Sequence, residues 1–242
     1  MNASADVPWF PVASASDLVE RHIFAGELHA IELALWRDDE GGVNAWDNRC
    51  CHRGARLTLG INTGHRVRCQ YHGWQYRSGD GRCVVLPAAS QTPPPTSVCV
   101  HTFAALEQHG LVWVHLGLPA GSHALPPPSD WLIEVPGTGR AQRALQSLVL
   151  HADVAAALAG VQRYAECDAQ LSTDAALTWQ HNARAARLSW SEGGQTVELH
   201  FLLQPARGDK TIVHSVLDTD AGAAGLASWP ARHQAAMQRL RQ

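Results

Sequence analysis

The sequence predicts a β-rich protein in two parts, an all-β module over residues 1–125 followed by a small α+β unit over residues 126–242. Three observations lead there. Short apolar segments in the first half are separated at close intervals by turn residues, with Gly41-Gly42, Gly79-Asp80-Gly81 and the three prolines at 93–95 as punctuation. The stretch Ala124-Leu-Pro-Pro-Pro-Ser-Asp130 is stiff and polar, the composition of a domain boundary. Beyond it, an alanine- and leucine-rich segment precedes three alternating ones, the pattern of a helix laid against antiparallel strands. A chain of 242 residues has room for two such cores.

In chain order, the apolar segments at 31–36, 43–46, 84–86 and 111–116 read as strands. Asp153 can cap a helix running through 155–161, because its carboxylate accepts from the unpaired amides of the first turn and the alanines and leucines that follow favour the helical state. Alternation at 177–183, 195–203 and 210–218 marks three antiparallel strands, the last two separated by Pro205-Ala-Arg-Gly208. An amphipathic helix is expected over 223–240, with Pro230 near a break.

With 17% charged residues and a formal net charge of −3, the chain carries no basic field for nucleic acid or an anionic membrane. The first residues hold neither a basic nor an apolar leader region, and no later run is long enough to span a bilayer, so a cytoplasmic, soluble protein is expected. Its six cysteines (Cys50, Cys51, Cys69, Cys83, Cys99 and Cys167) are then reduced, buried or metal-bound, not a disulfide framework.

Two cysteine–histidine pairs carry the chemistry. Cys50-Cys51-His52 and Cys69-Gln70-Tyr71-His72 are C-x-H and C-x2-H motifs sixteen residues apart. Each places one thiolate and one imidazole on a short loop; two such loops face to face supply two sulfurs to one iron and two nitrogens to the other, the ligand set of a mixed-ligand [2Fe–2S] cluster. Neutral imidazoles in place of thiolates lower the cluster's negative charge and raise its potential. Structural zinc is the competing use of two cysteines and two histidines, but zinc ligands usually come paired like with like, as C-x2-4-C and H-x3-5-H. Gly54 and Gly73 follow the two histidines, where close backbone turns need them.

Together with Trp9-Phe-Pro-Val-Ala13, the runs Asn48-Arg-Cys-Cys-His-Arg-Gly-Ala55 and Cys69-Gln-Tyr-His-Gly-Trp74 resemble the Rieske domain of ring-hydroxylating oxygenases, especially the vanillate and phthalate demethylase branch. The resemblance covers the first half of the chain and implies a cluster held by Cys50, His52, Cys69 and His72. Cys51 departs from it, standing where the family usually has proline, and is expected to be a free, partly shielded thiol. Trp74 stands where respiratory Rieske proteins carry a serine hydroxyl donor. Fewer hydrogen bonds to the sulfurs place the potential toward the reducing end of the roughly −150 to +300 mV Rieske range.

Family members follow this domain with a helix-grip catalytic domain whose mononuclear iron is held by D-x2-H-x4-H and a distant carboxylate, leaving positions open for oxygen. The segment from Asp153 to Val161 matches that motif with Ala156 and Val161 in the histidine positions, and the chain leaves little room for the distant carboxylate. The resemblance therefore implies a shortened helix-grip domain in which a mononuclear Fe(II) is not expected. Of the later histidines (His151, His181, His200, His214 and His233), His151-Ala-Asp153 with His200 or His214 imitates the H-x-D…H set of oxoglutarate-dependent enzymes, a short match of the kind that recurs by chance. No G-x-S-x-G, P-loop or G-x-G-x-x-G is present.

The expected function is single-electron transfer, as an accessory subunit of a Rieske non-haem iron oxygenase. Its partners would be an oxygenase catalytic subunit, a reductase or both, within a hetero- or homo-oligomer. In the family the aspartate matching Asp153 carries the electron path between subunits, so the resemblance implies the same place for Asp153. The alternatives are a complete oxygenase, hydroxylase or demethylase, with an atypical iron site, and a free-standing Rieske ferredoxin.

Overall fold

The computed structural model describes residues 9–89, 91–122, 131–133, 140–164, 178–192 and 194–220. The chain divides into two compact units, Met1–Gln108 with Val112–Pro126, and His109–Leu111 with Pro127–Gln242.

Among the described residues, ten strands belong to the first part: β1 (Phe10–Ser14), β2 (Ile23–Leu28), β3 (Ile31–Arg37), β4 (Val43–Asp47), β5 (Ile61–Asn62), β6 (Arg66–Arg68), β7 (Gln75–Arg77), β8 (Cys83–Val85), β9 (Thr102–Gln108) and β10 (Leu111–His115). Six form one sheet in the order β1-β10-β9-β4-β3-β2, and the short β5-β6-β7-β8 form a second. Side chains of both sheets meet in one core: Ala34, Trp36 and Trp46 from the first, Val67, Tyr76 and Cys83 from the second, with Leu57, Cys50 and Cys69 between. Trp36 and Trp46 pack edge to face, with ring centroids 5.1 Å apart. The β3–β4 turn is closed by Asp38, whose carboxylate accepts from the amides of Gly42 at 2.7 Å and Glu40 at 3.1 Å. The segments expected as strands in this half correspond to β3, β4, β8 and β10. Strands β5, β6 and β7 escape such a reading because they span two or three residues each, and β6 and β7 carry arginine at exposed positions.

The second part contains β11 (Ala141–Ala144), β12 (Leu148–Leu150), α1 (Val154–Arg163), β13 (Thr178–His181), β14 (Ala185–Glu192), β15 (Gln195–Pro205) and β16 (Thr211–Thr219). They build an antiparallel sheet, β11-β16-β15-β14-β13, with β12 also pairing β16. Helix α1 lies on one face, burying Ala157, Val161 and Tyr164 against Leu188, Leu199, Phe201 and Leu217. Its start is the expected one: Asp153 Oδ1 accepts from the amide of Ala156 at 2.8 Å. Strands β11, β12 and β14 correct the expectation of three strands in this half; the first two are short segments paired to β16, and β14 lies between the expected ones. For β14 the signal was weak. Its alternation is present in Ala186, Leu188 and Trp190, but Ala185-Ala-Arg-Leu-Ser-Trp-Ser-Glu192 is poor in β-branched residues, and pairing along the whole of β15 holds it in the sheet. The helix expected over 223–240 lies outside the described residues. Among the described residues, no helix is long and apolar enough to cross a membrane.

Candidate metal centre

The two motif loops share one backbone design. In the first, the amide of Cys50 donates to the carbonyl of Ala55 and that of Gly54 to the carbonyl of Cys50, both at 2.8 Å. In the second, the amide of Cys69 donates to Trp74 at 2.8 Å and that of Gly73 to Cys69 at 3.1 Å. Each loop therefore closes five residues after its cysteine. The closing glycines have φ of +68° and +72°, a conformation that other residues enter at a steric cost. A Cβ on Gly73 would also stand 3.2 Å from Pro87 Cγ.

This design brings like donors together. Cys50 and Cys69 are both buried and their thiols lie within hydrogen-bonding reach of each other. His52 and His72 have ring centroids 4.6 Å apart, and His52 stacks on Trp74 at 4.2 Å with planes 8° apart. Tyr71 leans on His72 at 3.9 Å. Burial of His52, with His72 and Arg53 nearby, holds its imidazole below the usual pKa and so in the neutral form that binds metal. Burial pushes the Cys69 thiol up, while amides of Tyr71 and His72 directed at its sulfur act in the opposite sense.

The donor set fits a [2Fe–2S] cluster. Nδ1 of His52 is buried with no hydrogen-bond partner, an arrangement that costs free energy unless something occupies its lone pair. Two buried, unbridged thiols on one side and two imidazoles on the other are the division of ligands the cluster requires. Cys51 is a free, exposed thiol beside them.

Tyr76 is the residue in contact with the motif that motif reasoning passed over. Its hydroxyl lies 2.9 Å from Cys50 Sγ and 3.4 Å from Cys51 Sγ. Burial and the neighbouring thiols push its pKa far up, so it stays a protonated donor. The expectation of few hydrogen bonds to sulfur, drawn from Trp74, did not count this one. The available signal was a lone aromatic between Gln75 and Arg77, the alternation of a half-buried strand.

The second unit does not assemble the oxoglutarate-type set. His151 is exposed, Asp153 caps α1, and His200 and His214 point to the sheet face away from the helix, since their alternate neighbours Leu199, Phe201 and Val213 face it. On that far face His214 is bonded to Ser147 and Gln204, both at 2.8 Å. Glu198, His200 and Asp218 cluster there too, but a guanidinium already serves the carboxylates: Arg140 donates to Asp218 at 2.7 Å and to Glu198 at 3.1 Å. In the helix, Ala156 is exposed and Val161 is packed in the apolar core; neither side chain carries a donor atom.

Comparison with known proteins agrees with this geometry. Residues 8–104 match the family model of the Rieske [2Fe-2S] domain. The chain is 48% identical over 146 residues to Oxidoreductase NdmD of Pseudomonas putida, covering 60% of this chain and 24% of that protein. It is 38% identical over 112 residues to the iron-sulfur subunit TsaM1 of the toluene-4-sulfonate monooxygenase system of Comamonas testosteroni, covering 46% of this chain and 31% of that one. The chain thus spans 24% to 31% of the length of these relatives. Among solved structures, Pseudomonas putida CBB5 NdmA superposes with a TM-score of 0.72 over 96% of this chain and 77% of its own at 19% identity, which places both units in the same fold.

Proposed function

From the premise that this chain carries a Rieske [2Fe–2S] domain over residues 8–104, we propose that it passes single electrons from a reductase to an oxygenase site held by another subunit. The observation that carries the reading is the pairing of thiol with thiol and imidazole with imidazole on two loops of one backbone design. Cys50, His52, Cys69 and His72 are the residues that would hold the cluster. When bound, it supplies a one-electron couple within about −150 to +300 mV.

The chain's own residues do the rest. Cys50 and Cys69 are buried, so the sulfur side is shielded from water, Trp74 fixes the plane of His52, and Tyr76 would donate to Cys50 as a ligand thiolate. His72 lies exposed at the surface, which leaves the imidazole side open to a redox partner. Asp153 is also exposed and its cap uses Oδ1, with no bond to Oδ2 among the described residues; we assign Oδ2 to a ligand histidine of a neighbouring subunit, the place that the family resemblance implies. The accessory reading is preferred to a complete oxygenase because Ala156 and Val161 cannot bind iron.

Metal analysis and electron spin resonance test this. The purified protein should hold about two irons per chain and, when reduced, show the signal of a mixed-ligand cluster. His72→Ala should lose both iron and colour, whereas Cys51→Ala should keep them. A colourless, zinc-loaded protein would falsify the reading.

A further inference from the structure

Charge in the first unit is divided unevenly along the chain. Between Asn48 and Arg82 there are seven arginines and one acidic residue, Asp80, whereas residues 1–47 and 83–126 together hold two arginines and ten acidic residues. A unit that is net acidic therefore turns a basic pole toward the segment that carries the four ligand positions.

Strand β6 shows where that charge is displayed. Val67 is buried while Arg66 and Arg68, on either side of it, are exposed on the outer face of the small sheet. Across the ladder Arg66 stands opposite Arg77, and Arg68 stands opposite Gln75 on one side and Ile61 on the other. The inner face of these strands carries Tyr76, whose hydroxyl reaches Cys50, and Cys69 follows Arg68 directly. The basic face and the cluster pocket are thus two sides of one layer.

Folding alone does not account for this arrangement, because like charges directly opposite one another on a sheet are destabilising. Arg77 is held by Asp80, and Arg49 and Arg56 by Glu32. Arg53, Arg66 and Arg68 have no carboxylate partner among the described residues. Apolar side chains stand exposed in the same segment, Leu59 at 63%, Ile61 at 46% and Tyr71 at 62% of full exposure. Arginine, aromatic and aliphatic groups together are the composition of a protein interface.

We propose that the outer face of β5–β7, with Arg66 and Arg68 at its centre and Leu59 and Ile61 beside them, docks an electron-donor protein whose surface is acidic. This rests on the electron-carrying reading above and adds the partner's charge and the place where it binds. An acidic donor would be steered to the basic pole and oriented with its redox centre toward the ligand loops, since complementary charge raises the encounter rate and selects the docking face.

Stopped-flow reduction of the cluster-loaded full chain tests it, with an acidic plant-type [2Fe–2S] ferredoxin as the donor probe. The second-order rate should fall at least about tenfold between roughly 20 and 300 mM salt. Arg66→Glu/Arg68→Glu should lower the low-salt rate at least about tenfold and flatten the salt dependence, while the visible spectrum and complete reduction by dithionite persist. Measuring the potential of the variant separates a change in driving force from lost steering, because only steering moves the salt dependence. Arg143→Glu, an exposed position on β11 in the other unit, makes the same kind of charge change at another surface and should leave the rate within about twofold. A wild-type salt slope in the double variant, or an equal loss in Arg143→Glu, overturns the docking surface. Absence of the cluster from the wild-type chain would instead defeat the electron-carrying reading.

Discussion

At Tyr76 a single hydroxyl proton touches the electronics of the centre. Its Oη lies 2.9 Å from Cys50 Sγ and its own ionisation is suppressed by burial and the thiols, so toward a cluster-bound thiolate, which has no proton to give, it would be the donor. A ligand sulfur becomes a better acceptor when its metal is reduced, so this bond stabilises the reduced form and raises the potential. Tyr76→Phe is therefore expected to lower the midpoint potential by tens of millivolts, roughly the conversion of a hydrogen-bond energy of about 1 kcal/mol, and to keep the cluster. Redox titration decides it, and an unchanged midpoint would show that the proton serves Cys51 instead. The four proposed ligand positions were legible in the sequence because their spacing is dictated by loops that close on themselves. Tyr76 was not, because its role depends on β7 folding over a loop that ends some twenty residues earlier.

Helix α1 and the β3–β4 hairpin each depend on one carboxylate. Asp153→Ala should cost about 1 kcal/mol through loss of the cap on Ala156, and Asp153→Asn far less. If Asp153 also serves the electron path, Asp153→Asn will slow reduction of a partner subunit without moving the melting temperature; unchanged kinetics leave the cap as its whole role. In the hairpin, burial raises the Asp38 carboxyl, and bonds from Ser78, Gly42, Asn44 and Glu40 outweigh it, holding the group below the usual range. Asparagine can replace only part of that acceptor capacity, so Asp38→Asn is expected to destabilise the first unit by about 1–2 kcal/mol, read from denaturant unfolding. Both elements were foreseeable, the helix from its cap and composition and the hairpin from Gly41-Gly42. Strand β14 was not, because its place in the sheet comes from its partner β15 and not from its own propensity.

Across the whole chain, stability should fall with acid in two windows. Burial lowers the pKa of His200, assisted by Arg187 and opposed by its bond to Leu132 and by Glu198 and Asp218; burial also lowers that of His115. Below about pH 6.5 the unfolded chain takes up these protons and the folded one does not, so stability declines as pH falls from there toward the folded values. Asp80, held down by Arg77 despite burial, and Asp38 contribute stability that is complete above about pH 3.9 and lost as pH falls through their lower folded values. Melting temperatures from pH 7.5 down to pH 3 check both windows. His200→Gln, which can still donate to the Leu132 carbonyl, should remove the share of the upper window that belongs to the second unit. A variant as sensitive as the wild type between pH 6.5 and 5 would assign that window elsewhere.

The amino-acid sequence by itself determined the two cysteine–histidine motifs, the β-rich first part and the α+β second part, and the absence of a donor atom at Ala156 and Val161, the positions that the family resemblance aligns with iron-binding histidines. These are local properties: a loop of five residues, a helix cap and a side chain without a donor atom are specified by neighbours in the chain. Only the tertiary structure decided that Tyr76 meets Cys50, that His52 is left with a buried unpartnered nitrogen, that Arg140 pairs with both Glu198 and Asp218, and that Arg66 and Arg68 share one exposed face. Each of these depends on which strands pair and in what register, and a shift of one residue would turn Tyr76 outward and the arginines inward.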